Sequence, residues 1–404
     1  MRITSFGCCG YKAFKDNSVV NIKPLTIFIG KNNSGKSALL RLPRLIARAI
    51  ADDSSLSFPL DVDGLRFGEV FQDLLWGRSP HGEVAFSIHL KDENEELELQ
   101  TRIRHVQDVF ADGNQSIVTR VEARTPQEFV LQWDEQDIES PSYADFGKVD
   151  FCGILPRQLP NWDFIETWRR RVKKFEQSID YLGPLRKEIP PSIRIGLQKK
   201  LGIDGGASLL WLAGDDELLK KASTWFEKNF DGWKLHLVRQ GMNIESEISR
   251  VNTSVNLAYA GQGLHQLLPI VVQLLKQQER PAAPRLLLVE EPELHLHAAA
   301  EAPIADLCID TIRQNPDASI LVETHSENIL LRVRRRIAEG LILPTQVALY
   351  WIEEQPDGSS QVKPIDIDEN GEVEWWPTGI FAEAYEDVRA IRRAQKRINE
   401  EDAR

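Results

Sequence analysis

The sequence predicts an α/β fold, with a mixed, mainly parallel sheet flanked by helices, an antiparallel β subdomain and a helical insertion. An apolar run from Leu25 to Ile29 ends at Gly30, and helical periodicity follows from Lys36 to Ile50. Apolar and polar residues alternate between about 82 and 130, which is typical of antiparallel strands. Strand and helix patterns then alternate from 233 to 352, which indicates a doubly wound sheet.

These patterns divide the chain into four predicted parts. Residues 1–150 form an N-terminal lobe that includes the antiparallel subdomain, and residues 151–230 form a helical arm or lid. Residues 231–378 form a C-terminal lobe, and residues 379–404 form a charged helical tail.

Composition argues against several classes of protein, although it leaves room for a local basic patch. The 404 residues are 42% hydrophobic with a net charge of −12, as expected for a globular protein and unlike a basic nucleic-acid coat. No stretch approaches the ~20 apolar residues that span a bilayer. The N-terminus has no signal-peptide core, and the four cysteines show no CxxC spacing. We therefore expect a cytoplasmic protein without a membrane partner.

The segment from Gly30 to Ser37 has the pattern of a phosphate-binding loop between a strand and a helix. Its backbone N–H groups can point at phosphates, and the helix N-terminus adds positive potential. Lys36 is placed to reach the β- and γ-phosphates, and the Ser37 hydroxyl to ligate Mg²⁺. ATP and Mg²⁺ are therefore the predicted cofactors. The predicted nucleotide contacts here are Gly30, Asn32, Asn33, Ser34, Gly35, Lys36, Ser37 and Ala38.

Two later strands end in polar side chains that suit the same chemistry. The run Leu286–Val289 is followed by Glu290, predicted to bind Mg²⁺, and Glu291, predicted to polarise the attacking water. A charged turn after a core strand is the alternative, and the phosphate loop argues against it. His325 follows another apolar strand, where it can hydrogen-bond the γ-phosphate. The predicted catalytic residues are Glu291, Lys36 and His325.

A glycine-rich segment, 260–266, opens a predicted helix whose free N–H groups form an anion site. It has no obvious phosphate of its own to hold. In a head-to-tail dimer it would cap the γ-phosphate of the partner's ATP; otherwise it is an ordinary helix cap. The predicted contacts are Gly261, Gly263, His265 and Gln266.

The order of these four motifs resembles that of P-loop NTPases of the ABC-ATPase head type. The segments 290–297 and 322–326 look like the branch containing OLD-family, RecF-like and SMC-like ATPases. The segments 181–186 and 375–381 are similar to bacterial predicted ATPases that include subunits of phage-defence systems.

The resemblance implies that ATP lies between two heads, each completed by the other's signature helix. By position, Lys36 and Ser37 match Walker A, and Glu290 and Glu291 match Walker B. His325 matches the switch histidine, and the signature is matched by Gly261, Gly263 and Gln266. The Q-loop glutamine, a further Mg²⁺ ligand in this family, is assigned to Gln72, with a solvated loop residue as the alternative.

Two departures from the family matter. His265 stands where a serine usually bonds the γ-phosphate in trans, so it either replaces that donor or weakens turnover. The chain after Ser326 shows no acidic pattern of the Toprim domain found in OLD-family nucleases. The resemblance therefore implies a separate effector protein, a nuclease or toxin, rather than nuclease activity in this chain.

The lead hypothesis is a dimerising ATPase switch in an antiphage-defence or DNA-maintenance complex. An ATP-binding scaffold that hydrolyses little and sequesters a toxic effector is the alternative. A membrane-transporter ATPase is disfavoured by the inserted sheet.

Two further groups of residues are open to more than one interpretation. The clusters of arginine at 169–171 and 332–336 are either solvated faces or DNA contacts. We expect His295 and His297 to serve packing or an interface rather than to bind a metal.

Overall fold

The structure is a computed structural model that describes residues 1–53, 58–108, 113–134, 151–157, 161–197, 200–278 and 285–377. The strands are β1 (Arg2–Cys9), β2 (Ser18–Asn21), β3 (Leu25–Gly30), β4 (Asp61–Val62), β5 (Leu65–Arg66), β6 (Glu83–Asp92), β7 (Glu95–Asp108), β8 (Gly113–Arg124), β9 (Phe129–Asp134), β10 (Phe151–Cys152), β11 (Leu155–Pro156), β12 (Ile179–Leu182), β13 (Ile193–Arg194), β14 (Lys234–Gln240), β15 (Asn243–Arg250), β16 (Thr253–Asn256), β17 (Arg285–Glu290), β18 (Ala318–Glu323), β19 (Val347–Glu354) and β20 (Ser360–Ile365). The α-helices are α1 (Lys36–Ala51), α2 (Trp162–Glu176), α3 (Ser208–Ala213), α4 (Asp216–Asn229), α5 (Gln262–Gln278), α6 (Ala298–Gln314) and α7 (Glu327–Ala338).

The central sheet has six strands in the order β12-β17-β18-β3-β19-β20. All neighbours pair in parallel except β19 and β20, which are antiparallel. Strand β3 is buried along its whole length, as expected for a parallel strand covered on both faces. The predicted mixed, mainly parallel sheet flanked by helices is therefore confirmed.

The two faces of this sheet have separate hydrophobic cores. On one face, Phe28 and Leu288 pack with α1, α2 and side chains of the antiparallel sheet. On the other face, Ile27 and Val289 pack with α5, α6 and α7. Because alternate residues of each strand serve opposite cores, the strands read as continuous apolar runs in the sequence.

The second six-stranded sheet, in the order β2-β1-β6-β7-β8-β9, is antiparallel throughout. In β6, buried residues alternate with half-buried ones, so one side of the strand faces the core. This is the antiparallel β subdomain that the alternating pattern predicts.

The prediction of a separate helical arm over 151–230 is wrong for its central part. Strand β12 forms the edge of the parallel sheet beside β17. Helix α2 packs on α1, and its Trp168 is only 2% exposed within the core. These residues complete the ATPase fold, since without them β17 would be an open edge.

Helix α4, in the later part of the predicted arm, lies against α5 and β14. The predicted tail 379–404 lies outside the described residues.

In the part of the chain that the structure describes, no helix combines the length and apolarity required to cross a bilayer.

Candidate functional site

Three neighbouring parallel strands bring the predicted motifs to one edge of the central sheet. Glu290 is in register with Glu323, and Glu323 with Phe28, at the carboxyl ends of β17, β18 and β3. The phosphate loop continues from β3, and His325 follows β18. The structure therefore places the phosphate loop, the predicted Walker B pair and the predicted switch histidine at one location, where α/β sheets bind ligands.

Glycine is required at both ends of the phosphate loop. A Cβ on Gly30 would lie 2.7 Å from the Ile352 carbonyl oxygen and 2.8 Å from Ser34 Oγ. Gly35 has a φ of 95°, a left-handed conformation that is strained for other residues. The loop is thus fixed in shape, and α1 begins immediately after it at Lys36.

The Lys36 side chain is folded back into its own loop. Its ammonium donates a hydrogen bond of 2.7 Å to the Lys31 carbonyl oxygen and lies 3.8 Å from Glu323 Oε1. Burial lowers the pKa of Lys36, and the charge of Glu323 opposes that shift. A neutral backbone carbonyl oxygen is a weaker partner for an ammonium group than a phosphate oxygen, so a bound phosphate could replace it.

The carboxylate beside Ser37 is Glu323, which the sequence analysis did not assign. The Ser37 hydroxyl donates a 3.0 Å hydrogen bond to Glu323 Oε1. Burial, followed by the nearby charge of Glu290, raises the pKa of Glu323 to about 7. A signal was available in the sequence, because Glu323 ends the strand that precedes His325.

Glu290 is held by two residues that the sequence analysis also missed. Arg41 binds both of its carboxylate oxygens, at 2.5 and 2.6 Å, and the Tyr181 hydroxyl donates to Oε1 at 2.9 Å. The carboxylate is 2% exposed. The predicted Mg²⁺ ligand is therefore engaged by protein groups in this structure.

Glu291 adopts an unusual backbone conformation, with a φ of 41°. Its N–H donates to the Glu323 carbonyl oxygen at 2.9 Å. One ligand atom from each of Glu291, Glu323 and His325 lies within 4.8 Å of the other two. Positive φ in a non-glycine residue costs of order 1 kcal/mol and is often found at functional sites. This position fits the predicted role of Glu291 as the base that acts on water.

His325 is oriented by its backbone, whose N–H donates to Glu293 Oε1 at 2.5 Å. Burial and the charge of Lys36 lower the pKa of His325. A neutral imidazole has one donor and one acceptor nitrogen, so it can donate a hydrogen bond to a phosphate oxygen without carrying charge.

Arg186 connects the Walker B strand to the glycine-rich helix. Its buried guanidinium donates to the Glu290 carbonyl oxygen at 2.6 Å and contacts that of Glu291 at 3.5 Å. Its backbone N–H and C=O both pair with the Gln266 side chain, at 3.3 Å each. Burial lowers the pKa of Arg186 to about 10, opposed by nearby carboxylates.

Replacing Arg186 with Met should lower the free energy of unfolding by about 2 kcal/mol, because two carbonyl oxygens lose a charged donor. Urea denaturation measures this change. The exposed Arg194→Met, which removes the same charge, should stay within about 0.5 kcal/mol of wild type. Equal effects of the two substitutions would show that Arg186 does not stabilise the Walker B turn.

The glycine-rich helix start is partly as predicted. Gly261 is exposed, and Gly263 approaches the segment after Walker B, where a Cβ would lie 2.9 Å from the His295 carbonyl oxygen. His265 is 5% exposed, and its Nδ1 accepts a hydrogen bond from the Ile189 N–H at 3.1 Å. The expectation that His265 and Gln266 face a phosphate is not met, because both side chains are buried and bonded within the chain.

Gln72 lies in a short 3-10 turn, Phe71–Leu74. In the described part of the chain, its side chain makes no recorded hydrogen bond to Ser37 or Glu290. Its assignment as a metal ligand stays a prediction.

The arginine clusters are paired with carboxylates rather than free. Arg169 and Arg170 bind Glu166, and Arg332 and Arg336 bind Asp306. Each pair neutralises charge that would otherwise attract a polyanion, so the structure favours solvated faces over a DNA contact.

The donor set at the sheet edge suits the cofactors that the sequence predicts. Ser37, Glu323 and Glu291 offer hydroxyl and carboxylate oxygens, which are the ligands that Mg²⁺ prefers. Glu323 Oε2 and Ser34 Oγ are buried without a hydrogen-bond partner among the described residues. Such atoms fit a site that is completed by a bound cation and phosphate.

Comparisons with solved structures support the fold. A crystal structure of an SMC head bound to the C-winged helix domain of ScpA is 14% identical, with a TM-score of 0.51, and the match covers 91% of this chain and 98% of that chain. The SMC head domain from Thermotoga maritima is 12% identical, with a TM-score of 0.46, over 91% of this chain and 100% of that chain. The first of these two matches, with its TM-score of 0.51, confirms the ABC-ATPase head fold.

No curated protein matches this chain. Residues 342–391 match a family model described as a protein of unknown function, DUF3696. A model described as an AAA ATPase domain matches residues 1–142 and 187–330, which together exceed half of the sequence. The chain belongs to the AAA ATPase domain family.

Proposed function

We propose that this chain binds ATP with Mg²⁺, hydrolyses it slowly, and acts as a switch by pairing with a second copy through its ATPase head. Lys36, Glu291 and His325 converge with the phosphate loop at one sheet edge, which supports ATP chemistry at this site. The pairing is inferred from a separate feature, the open end of α5.

The observation that carries the pairing is the exposed start of α5. A Cβ on Gly261 would meet no atom within 4 Å, so the helix end is open to a ligand. The first turn of α5 has no acidic side chain. The positive helix end therefore has no acidic side chain in its own first turn, and its charge suits the γ-phosphate of a second copy's ATP.

In this mechanism the chain's own residues supply position and proton transfer. Lys36 exchanges the Lys31 carbonyl oxygen for a phosphate oxygen, which is a stronger, charge-assisted partner. Glu291 accepts a proton from the attacking water, and His325 donates a hydrogen bond to the γ-phosphate. When bound, Mg²⁺ neutralises charge on the phosphates.

The biological setting is proposed from the sequence resemblance. The motifs 181–186 and 375–381 support a role in antiphage defence or DNA maintenance. The same resemblance supports an effector activity in a separate protein, which the head would control through its ATP state.

An ATP-binding scaffold with little hydrolysis remains the second candidate, and one observation favours it. The His265 ring is turned inward, so it cannot act in place of the serine that usually contacts the γ-phosphate in trans. Under this alternative, ATP closes the dimer, and the closed state persists.

The test is the mass of the chain with and without Mg-ATP, measured by light scattering after size exclusion. Glu291→Gln should trap ATP and shift from monomer to dimer. Gly261→Glu in the same background should remain monomeric, because its carboxylate repels the phosphate at an otherwise tolerant position.

Gly196→Glu is the matched control, since a Cβ there also meets nothing within 4 Å, and it should dimerise normally. A Glu291→Gln chain that binds ATP yet stays monomeric would refute the switch. If wild type and Glu291→Gln both dimerise with ATP and wild type shows no measurable turnover, the scaffold would be favoured.

A further inference from the structure

The carboxylate nearest the Walker A hydroxyl is Glu323 rather than the Walker B residue Glu290. The Ser37 hydroxyl donates to Glu323 Oε1 at 3.0 Å. In phosphate-loop proteins that hydroxyl is a ligand of the nucleotide's cation, so a carboxylate that it touches stands at the cation's position. This inference rests on the proposed ATP function and concerns the same site.

Glu290 is unsuited to direct coordination in this structure. Arg41 binds both of its oxygens, and Tyr181 adds a third donor. A cation that approached the buried Glu290 carboxylate would have to displace the half-buried Arg41 from a bidentate ion pair, which is costly.

Glu323 has the free coordination capacity that Glu290 lacks. It is 3% exposed, and its Oε2 has no hydrogen-bond partner among the described residues. A buried carboxylate oxygen without a donor is costly unless a ligand completes it. A Glu291 oxygen and a His325 nitrogen lie within 4.8 Å of the Glu323 ligand atom, so the free oxygen belongs to a cluster of potential ligands.

We propose that Glu323, together with Ser37, is the direct protein ligand of the divalent cation that accompanies ATP. Glu290 is a positioning residue, which holds Arg41 and Tyr181 against the end of β17. The recognised species is a small, hard divalent cation, because the available donors are a carboxylate and a hydroxyl.

The experiment measures Mn²⁺ affinity by the electron paramagnetic resonance signal of free Mn²⁺, in the presence of saturating ADP. Glu323→Gln keeps the acceptor for Ser37 but removes the charge, and it should weaken Mn²⁺ binding by at least about 10-fold. Glu290→Gln should weaken Mn²⁺ binding less than Glu323→Gln does, because Arg41 and Tyr181 already occupy the Glu290 oxygens. Glu301→Gln is the control, since Glu301 also accepts a serine hydroxyl, from Ser326, outside the cluster.

A second measurement is the affinity for a fluorescent ADP in EDTA. Because EDTA removes the divalent cation, this affinity reports on the nucleotide site alone. Wild type and the three variants at Glu323, Glu290 and Glu301 should bind the fluorescent ADP equally, since none of these changes removes a phosphate contact. Normal ADP binding with unchanged Mn²⁺ affinity in Glu323→Gln would overturn this assignment alone. The assignment would also be overturned if Glu290→Gln lost as much Mn²⁺ affinity as Glu323→Gln. Failure of wild type to bind the nucleotide would overturn both the proposed function and this assignment.

Discussion

Glu291→Gln should lower kcat for ATP hydrolysis by about 10²- to 10⁴-fold, the range for removal of a general base. ATP affinity should stay within about 3-fold, because the lost proton acceptor acts in the transition state and not in binding. Glu291 has a strained backbone φ of 41°, and hydrogen bonds that join its backbone to Arg186 and Glu323 hold it in that conformation. Strain of this kind is often found at catalytic positions. Phosphate release measures kcat, and a fluorescent ATP analogue measures affinity.

The control is Glu217→Gln, an exposed carboxylate in the first turn of α4, which removes the same charge far from the sheet edge. It should leave both constants unchanged. Wild-type turnover that survives in Glu291→Gln would show that another group activates water, and Glu323 would be the next candidate because its ligand atom lies within the same 4.8 Å cluster.

Local patterns were sufficient to predict the elements that carry the ATP motifs. The predicted helix from Lys36 to Ile50 corresponds to α1, Lys36–Ala51, because its apolar residues recur with the helical period along a long segment. The strands before Glu291 and His325 were equally clear, since each is a short apolar run that stops at polar residues. Their meeting at one edge followed from the parallel sheet.

The partners of Glu290 could not be predicted, because they depend on how distant elements pack. Arg41 reaches Glu290 only because α1 covers the end of β17, and Tyr181 does so only because β12 is the next strand. Strand β12 has four residues, which are too few to distinguish a strand from the surrounding helical segment by periodicity.

The burial of His265, by contrast, was readable from the sequence. His265, Leu268 and Val272 are spaced i, i+3, i+7 along α5, so they share one helix face, and all three are buried. The family position suggested a phosphate contact, whereas the helical period indicated the core. The packing of α5 decides between them, because its apolar face must be covered by the central sheet.

Arg41→Met should lower the free energy of unfolding by about 3–5 kcal/mol near neutral pH, because it leaves Glu290 as a buried carboxylate with one remaining donor. A buried carboxylate that has lost its cationic partner becomes less costly once a proton neutralises it. The deficit should therefore shrink as pH falls. Urea denaturation at several pH values measures this, with Arg48→Met on the exposed face of α1 as the control.

A double variant separates the ion pair from simple packing. Arg41→Met combined with Glu290→Gln removes both charges, so the pH dependence should disappear and much of the lost stability should return. If the double variant is as unstable as Arg41→Met at every pH, the arginine stabilises the fold through its aliphatic and Tyr181 contacts instead. Recovery of stability in the double variant would show that the fold must neutralise the charge of Glu290. A carboxylate engaged in this way is not free to bind the cation, so a separate carboxylate is needed.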